Sequence, residues 1–182
     1  LMKKILVTGC AGFIGSQFVK KIINKYKVYG IDNFDTYYSI NLKKKRIFDL
    51  KKNKNFIFKK IDITNFKKLE NLINKKNFEY VFHFAAQAGV RYSIINPKKY
   101  TLTNITGTIN LLDCLKNKKV KKIFLSSSSS VYGENKKFPL IEKENLSPIN
   151  HYAYTKVINE QTGKYYSENF NLNIYMLRFF TV

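Results

Sequence analysis

Tyr152 and Lys156 stand four residues apart, and a run of serines, Ser126 to Ser130, precedes Val131-Tyr132-Gly133. On a helix that spacing puts phenol and ammonium on one face, one turn apart. A free phenol, with a pKa of about 10, is a poor base at neutral pH. A nearby ammonium is expected to favour the phenolate and lower that value. A serine hydroxyl would then hold a substrate oxygen between them, so the trio suits proton removal from an alcohol. Tyr-x-x-x-Lys alone is common and usually a surface helix pair. Its weight here comes from Gly9-x-x-Gly12-x-x-Gly15, which follows the apolar run Ile5-Leu6-Val7. A strand that turns into a helix over such glycines brings backbone N–H groups and a positive dipole end to a diphosphate. Asp32 ends the next apolar segment, seventeen residues after Gly15. A carboxylate there accepts hydrogen bonds from the adenosine ribose and repels an extra phosphate on it, so the expected cofactor is NAD.

These residues need a frame. Strands are predicted at Lys4–Thr8, Lys27–Asp32, Phe56–Ile61, Tyr80–Ala85, Lys122–Ser126 and Leu172–Arg178. Helices are predicted at Phe13–Lys25, Asn41–Lys52, Asn65–Lys76 with Thr64 as cap, Asn96–Lys116 with Pro97 in its first turn, and Tyr152–Glu168. Strands alternating with helices imply an α/β fold, a Rossmann-type doubly wound parallel sheet with helices on both faces. Such sheets bind ligands at the carboxyl ends of their strands, where each motif lies. His83, inside the fourth strand, reads as a packed core residue rather than a ligand.

Composition narrows the function classes. With 182 residues and 45% hydrophobic content the chain can bury the core of one domain. No apolar run is long enough for a membrane span. The two cysteines, Cys10 and Cys114, form no metal-like or redox-like pair, no metal site is expected, and the expected compartment is the cytoplasm. The start, Lys3-Lys4 before a short apolar run and Cys10, is too short for a lipoprotein signal. Thirty-three Lys and Arg against 12 Asp and Glu give a formal charge of +21. Because the lysines are spread along the whole chain, this reads as compositional bias rather than a nucleic-acid surface.

The chain resembles the extended short-chain dehydrogenase/reductases, in particular the NAD-dependent epimerase/dehydratase family, nearest its UDP-glucuronate 4-epimerases. The resemblance runs through Val7 to Gly15, Gly30-Ile31-Asp32-Asn33, His83 to Ser93, Asn104 to Thr108, the serine run with Val131-Tyr132-Gly133, Tyr152-x-x-x-Lys156 and Leu177 to Val182. It implies that Tyr152 takes the proton of a sugar 4-hydroxyl while hydride leaves C4 for the nicotinamide. The resulting 4-keto sugar would turn over and receive the hydride on its other face, so NAD is regenerated. Ser128 matches the catalytic Ser/Thr, with Ser127 and Ser129 as alternatives, and Lys156 would also bond the nicotinamide ribose. Gly9, Gly12, Phe13, Ile14, Gly15, Asp32, Asn33, Asp62, Ile63, Ala85, Ala86 and Gln87 match cofactor positions. Arg91, Ser128, Ser129 and Thr181 match the substrate side, which implies a UDP-sugar partner.

The resemblance further implies a homodimer through the helices predicted at Asn96–Lys116 and Tyr152–Glu168. The related 4,6-dehydratases carry an Asp-Glu pair where this chain has Ser129 and Ser130, which favours epimerisation over elimination. Cys10 stands where the family has alanine, and its thiol is expected beside the phosphates, open to oxidation. The start at Leu1 and the stop at Val182 lead us to expect an incomplete Rossmann domain over 1–182, without the region that binds the sugar. Two readings remain beside the epimerase: a 4,6-dehydratase, and an inactive nucleotide-binding or basic nucleic-acid-binding remnant.

Overall fold

The computed structural model describes residues 2–135 and 137–182; Leu1, noted above, and Lys136 lie outside the described residues. Six strands form one parallel sheet in the order β3-β2-β1-β4-β5-β6. They are β1 (Lys4–Thr8), β2 (Lys27–Asp32), β3 (Phe56–Lys60), β4 (Tyr80–His83), β5 (Lys122–Ser128) and β6 (Ile174–Phe179). The helices are α1 (Phe13–Ile22), α2 (Ile40–Lys51), α3 (Phe66–Asn74), α4 (Val90–Ile95), α5 (Pro97–Tyr100), α6 (Gly107–Leu115) and α7 (His151–Phe170).

Alternation along the strands sorts side chains into two cores, as a period of two requires. Ile5 and Val7 of β1 join Val19 of α1 and Ile47 of α2 on one face. Leu6 points the other way, into a core with Leu69 of α3, Leu111 and Leu115 of α6 and Tyr166 of α7. On the α1 face beyond β1, Phe82, Phe124 and Tyr175 stack in a row across β4, β5 and β6, with centroids 4.6 and 5.3 Å apart.

The doubly wound parallel sheet matches the expectation, and β1 and β2 have the expected bounds. The helix expected over 96–116 forms as an unbroken helical stretch over 97–115: Pro97 opens α5, the coil widens to a π-type turn over Thr101–Thr106, and α6 continues from Gly107. The wide turn holds the buried Asn104, whose side chain bonds the backbone of Gln87 (below) and so cannot follow a regular apolar stripe. The cap of α3 is Asn65, whose side chain accepts from Lys68 N–H at 3.1 Å; Thr64 instead donates to Asp62. A side-chain amide is as good an N-cap acceptor as a hydroxyl, so neighbouring candidates compete.

Candidate active site

The carboxyl ends of β1, β2 and β4 open on a cavity of about 530 Å³. Gly9, Gly12, Phe13, Ile14, Gly15, Asp32, Asn33, Ile63, Ala85, Ala86 and Gln87, all expected at the cofactor, line it. Gly9 sits at φ +68, and a Cβ there would come within 2.6 Å of the Ala85 backbone nitrogen, so this turn has room only for glycine. No side chain caps the start of α1, which leaves its first N–H groups to a ligand.

Asp32 is buried at the tip of β2. Its two oxygens accept the N–H groups of Ala11 at 3.1 Å and Phe34 at 2.8 Å, which ties the glycine turn to the loop after β2. Asp62 does not line the cavity: it accepts from Asn33 Nδ2 at 2.8 Å and from Thr64. Burial works against that carboxylate, yet these hydrogen bonds hold it below its ordinary value. Cys10 corrects the expectation made for it. The side chain is fully buried under β2, where a Cβ on Gly30 would come within 2.7 Å of its sulfur. Burial, with Asp32 nearby, pushes its pKa well up, so the thiol stays protonated and unreactive.

Tyr152 and Lys156 share the first turns of α7, which Asn150 caps by accepting from Ala153 N–H at 2.9 Å. Neither lines the cavity. Tyr152 packs edge-on against Tyr100, whose hydroxyl meets the carbonyls of Ala88 and Gly89 at 2.6 Å, and Ala88 is part of the wall. Lys156 is 2% exposed and its ammonium donates to the Ser126 carbonyl at 2.8 Å. Burial pushes its pKa down to about 8.

The phenol departs from the expected shift. The ammonium, 5.7 Å from the Tyr152 ring centroid, is turned to Ser126. Burial therefore dominates and raises the Tyr152 pKa, a hydrogen bond with Ser128 opposes it, and Tyr38 adds to it. Of the neighbouring serines, Ser126 donates to the His83 carbonyl, Ser127 to Glu160 and Ser128 to Ser130 Oγ at 3.1 Å. Ser129 begins the tight turn Ser129–Tyr132. Arg91 on α4 and Thr181 beyond β6 are exposed and do not line the cavity.

Several residues of this region were not expected at the site. Lys43 and Arg46 line the cavity from α2, and Arg46 donates to the Ala11 carbonyl at 3.2 Å. In a lysine-rich chain two more cations are invisible; only their three-residue spacing on one helix face hinted at a shared wall. Tyr37 and Tyr38 come from the loop after β2, which is latched by a 2.7 Å ion pair from Asp35 to Lys99. Glu160 and Arg178 form a two-pronged pair at 2.8 and 2.9 Å that also receives the Ser127 hydroxyl. Asn104 and Arg178 lie in stretches that carry the resemblance, but no role was expected of either.

The cavity fits a dinucleotide on observations of its own. It joins an uncapped helix start, a carboxylate at the tip of the second strand, and a buried donor: Gln87 Nε2 meets no hydrogen-bond acceptor within bonding geometry among the described residues. An unpaired buried donor is costly, and a polar ligand resolves it. Tyr152 adjoins that wall through Tyr100, which packs against it and donates to the Ala88 carbonyl.

Residues 6–182 match the family model described as GDP-mannose 4,6 dehydratase. The chain is 43% identical over 181 residues to the protein CapI of Staphylococcus aureus, covering 98% of this chain and 54% of that one. It is 42% identical over 179 residues to a UDP-glucuronate 4-epimerase of Thermodesulfobacterium geofontis, covering 97% and 55%. Among solved structures it is similar to the UDP-glucuronic acid 4-epimerase of Bacillus cereus in complex with UDP-glucuronic acid and NAD. The TM-score is 0.90 at 37% identity, over 96% of this chain and 55% of that one. The chain thus spans about half the length of the relatives it matches.

Proposed function

The chain belongs to the NAD-dependent epimerase/dehydratase family, and from that premise we propose that it is the cofactor-binding part of a nucleotide-sugar 4-epimerase acting on UDP-glucuronate and UDP-galacturonate. The observation that carries the reading is the cavity that gathers the glycine turn, Asp32 and Ala85–Gln87 at the strand tips, with Tyr152 packed on Tyr100, whose hydroxyl bonds the Ala88 wall. The cofactor is NAD, which supplies a hydride acceptor and donor and, when oxidised, a positively charged ring. Asp32 takes the adenosine ribose, the start of α1 takes the diphosphate, and Gln87 offers its free amide N–H. Tyr152 moves the proton at the sugar 4-oxygen, and Ser128 holds that oxygen. Lys156 keeps a positive charge in a dry place, where it acts strongly on a phenolate.

Burial alone leaves Tyr152 protonated, so its work as a base depends on charge gathered by the loaded site. The matched family model bears a dehydratase's description, but Ser129 and Ser130 offer no acid or base for loss of water. Arg91 and Thr181 remain our candidates for the sugar side. The reading also implies a cytoplasmic protein that pairs with a second copy. Exposed Leu102, Tyr154, Ile158 and Tyr165 on the helices expected to pair support that association. No described helix is long and apolar enough to cross a membrane.

The test uses the chain alone and the chain joined to the carboxyl-terminal part of the Thermodesulfobacterium geofontis relative. Each is given NAD and UDP-glucuronate, and the nucleotide sugars are separated by chromatography. UDP-galacturonate is the expected product of the joined chain. A 4-keto-6-deoxy product from a 6-hydroxymethyl sugar would move the protein to the dehydratases. Activity on such a sugar alone would remove the sugar acid.

A further inference from the structure

We propose that His83, as a neutral imidazole with its hydrogen on Nε2, is a positioning residue that fixes the cavity wall at Ala85 relative to the helix turn bearing Asn104 and the start of α7. What that wall holds rests on the epimerase reading; the hydrogen-bond chain itself does not.

His83 lies 3% exposed at the end of a central strand, between Thr8 of β1 and Thr108 of α6. Its Nδ1 is 2.7 Å from Thr8 Oγ1 and its Nε2 is 3.1 Å from Thr108 Oγ1. The outer ends of this chain settle its direction. Thr108 Oγ1 is 2.5 Å from the Asn104 carbonyl, which can only accept. A hydroxyl has one hydrogen, so Thr108 gives it to Asn104 and can only accept from His83. Nε2 therefore carries the ring hydrogen, and the bare Nδ1 accepts from the Thr8 hydroxyl. Thr8 in turn accepts the Ala85 N–H at 3.1 Å. The chain runs one way, from the Ala85 amide through Thr8, His83 and Thr108 to the Asn104 carbonyl, with every hydrogen assigned.

The connection continues on the far side. The Asn104 side chain accepts from Gln87 N–H at 2.7 Å, donates to the Gln87 carbonyl at 3.1 Å and donates to Thr155 Oγ1 at 3.0 Å. Thr155 donates to the Tyr152 carbonyl at 2.7 Å. The wall residues Ala85 and Gln87 and the helix turn bearing Tyr152 are thus joined through one buried network. A second proton on His83 would set an N–H against the Thr8 hydroxyl, which would have to break its own donation. Burial first, and the Lys156 charge second, push the His83 pKa down to about 3, in keeping with a ring that stays neutral.

The chain has two histidines, His83 and His151, so nitrogen-15 labelling of histidine gives two ring systems, assigned with His151→Gln. The expected spectrum at pH 7 shows His83 protonated on Nε2 with an unprotonated Nδ1. A hydrogen on Nδ1, averaging between the two tautomers, or a charged ring would overturn the proposal without touching the epimerase reading. The second measurement is NAD affinity by calorimetry. Thr108→Val strips the acceptor from Nε2 and is expected to weaken NAD about tenfold, whereas Thr108→Ser keeps the hydroxyl and stays within about twofold of the parent. Equal NAD affinity in Thr108→Val and the parent would overturn the positioning role. If Thr108→Val does not fold, the tautomer in the unaltered chain decides. Absence of NAD binding in the parent would sink the epimerase reading instead, and the spectrum would still test the chain.

Discussion

Lys156 holds an ammonium in a buried place, and that has a sign at the level of folding. Its pKa is about 8 in the folded chain against 10.5 when free. Between those values the unfolded chain binds more protons than the folded one, so this residue makes stability rise as pH climbs from about 8 to 10.5. Below about 8 both states are charged, and the burial penalty stands in full. Urea midpoints across that window should rise in the parent, and Lys156→Met should flatten the rise; parallel curves would show that the ammonium is solvated. Tyr152→Phe removes one oxygen and keeps the ring against Tyr100. In the joined chain it should cost about a thousandfold in turnover with NAD affinity unchanged, and unaltered turnover would remove Tyr152 as the base. Arg46 uses one of its N–H groups on Ala11 and faces the cavity beside the uncapped start of α1. Arg46→Met should weaken NAD about tenfold and adenosine hardly at all, as expected of a cation near a diphosphate. Equal losses for both ligands would place its effect on the ribose instead.

Helix α7 has to set Tyr152 and Lys156 against the tip of β5, and it is tied there at more than one point. Asn150 caps its start, and Asn150→Ala should cost about 1 kcal/mol by thermal unfolding. Further along, Glu160 meets Arg178 of β6 with both partners largely buried, and takes the Ser127 hydroxyl at 2.6 Å. Arg178→Met leaves that carboxylate unpaired and should destabilise by about 3 kcal/mol. The double variant Glu160→Gln, Arg178→Met should recover part of the loss, and strictly additive losses would mean that the pair is decoupled. At this scale the sequence was readable where a short apolar run is bounded by turn residues: β1 and β2 are buried on both faces and have the expected bounds. The run from Asn96 to Lys116 reads as one helix because its apolar positions repeat, and 97–115 is helical throughout. The π-type turn around Asn104 follows from a hydrogen bond to Gln87, a residue of another segment, and no local pattern encodes it.

The molecule as a whole carries a formal charge of +21 on lysines scattered along the chain. That charge draws anions of every kind, so specificity has to come from the cavity. NAD at a hundredfold excess over its dissociation constant should stabilise the chain by about 2.7 kcal/mol, visible as a rise in melting temperature. Duplex DNA should give no comparable rise, and its binding should vanish steeply with added salt. A salt-resistant DNA complex with no response to NAD would favour the basic remnant over the enzyme. The matched relatives are about twice this length.

The amino-acid sequence by itself determined the α/β frame, the glycine turn, Asp32 and the spacing of Tyr152 and Lys156, because each is a local property: a period, a backbone angle or a one-turn separation. The tertiary structure alone decided the rest. It turned the Lys156 ammonium to Ser126, raised the Tyr152 pKa where a fall was expected, hid the Cys10 thiol beneath β2, and brought Arg46 to the glycine turn. Each of these depends on how much water and which charges surround a group, and segments far apart in the chain set that environment only once they have packed together.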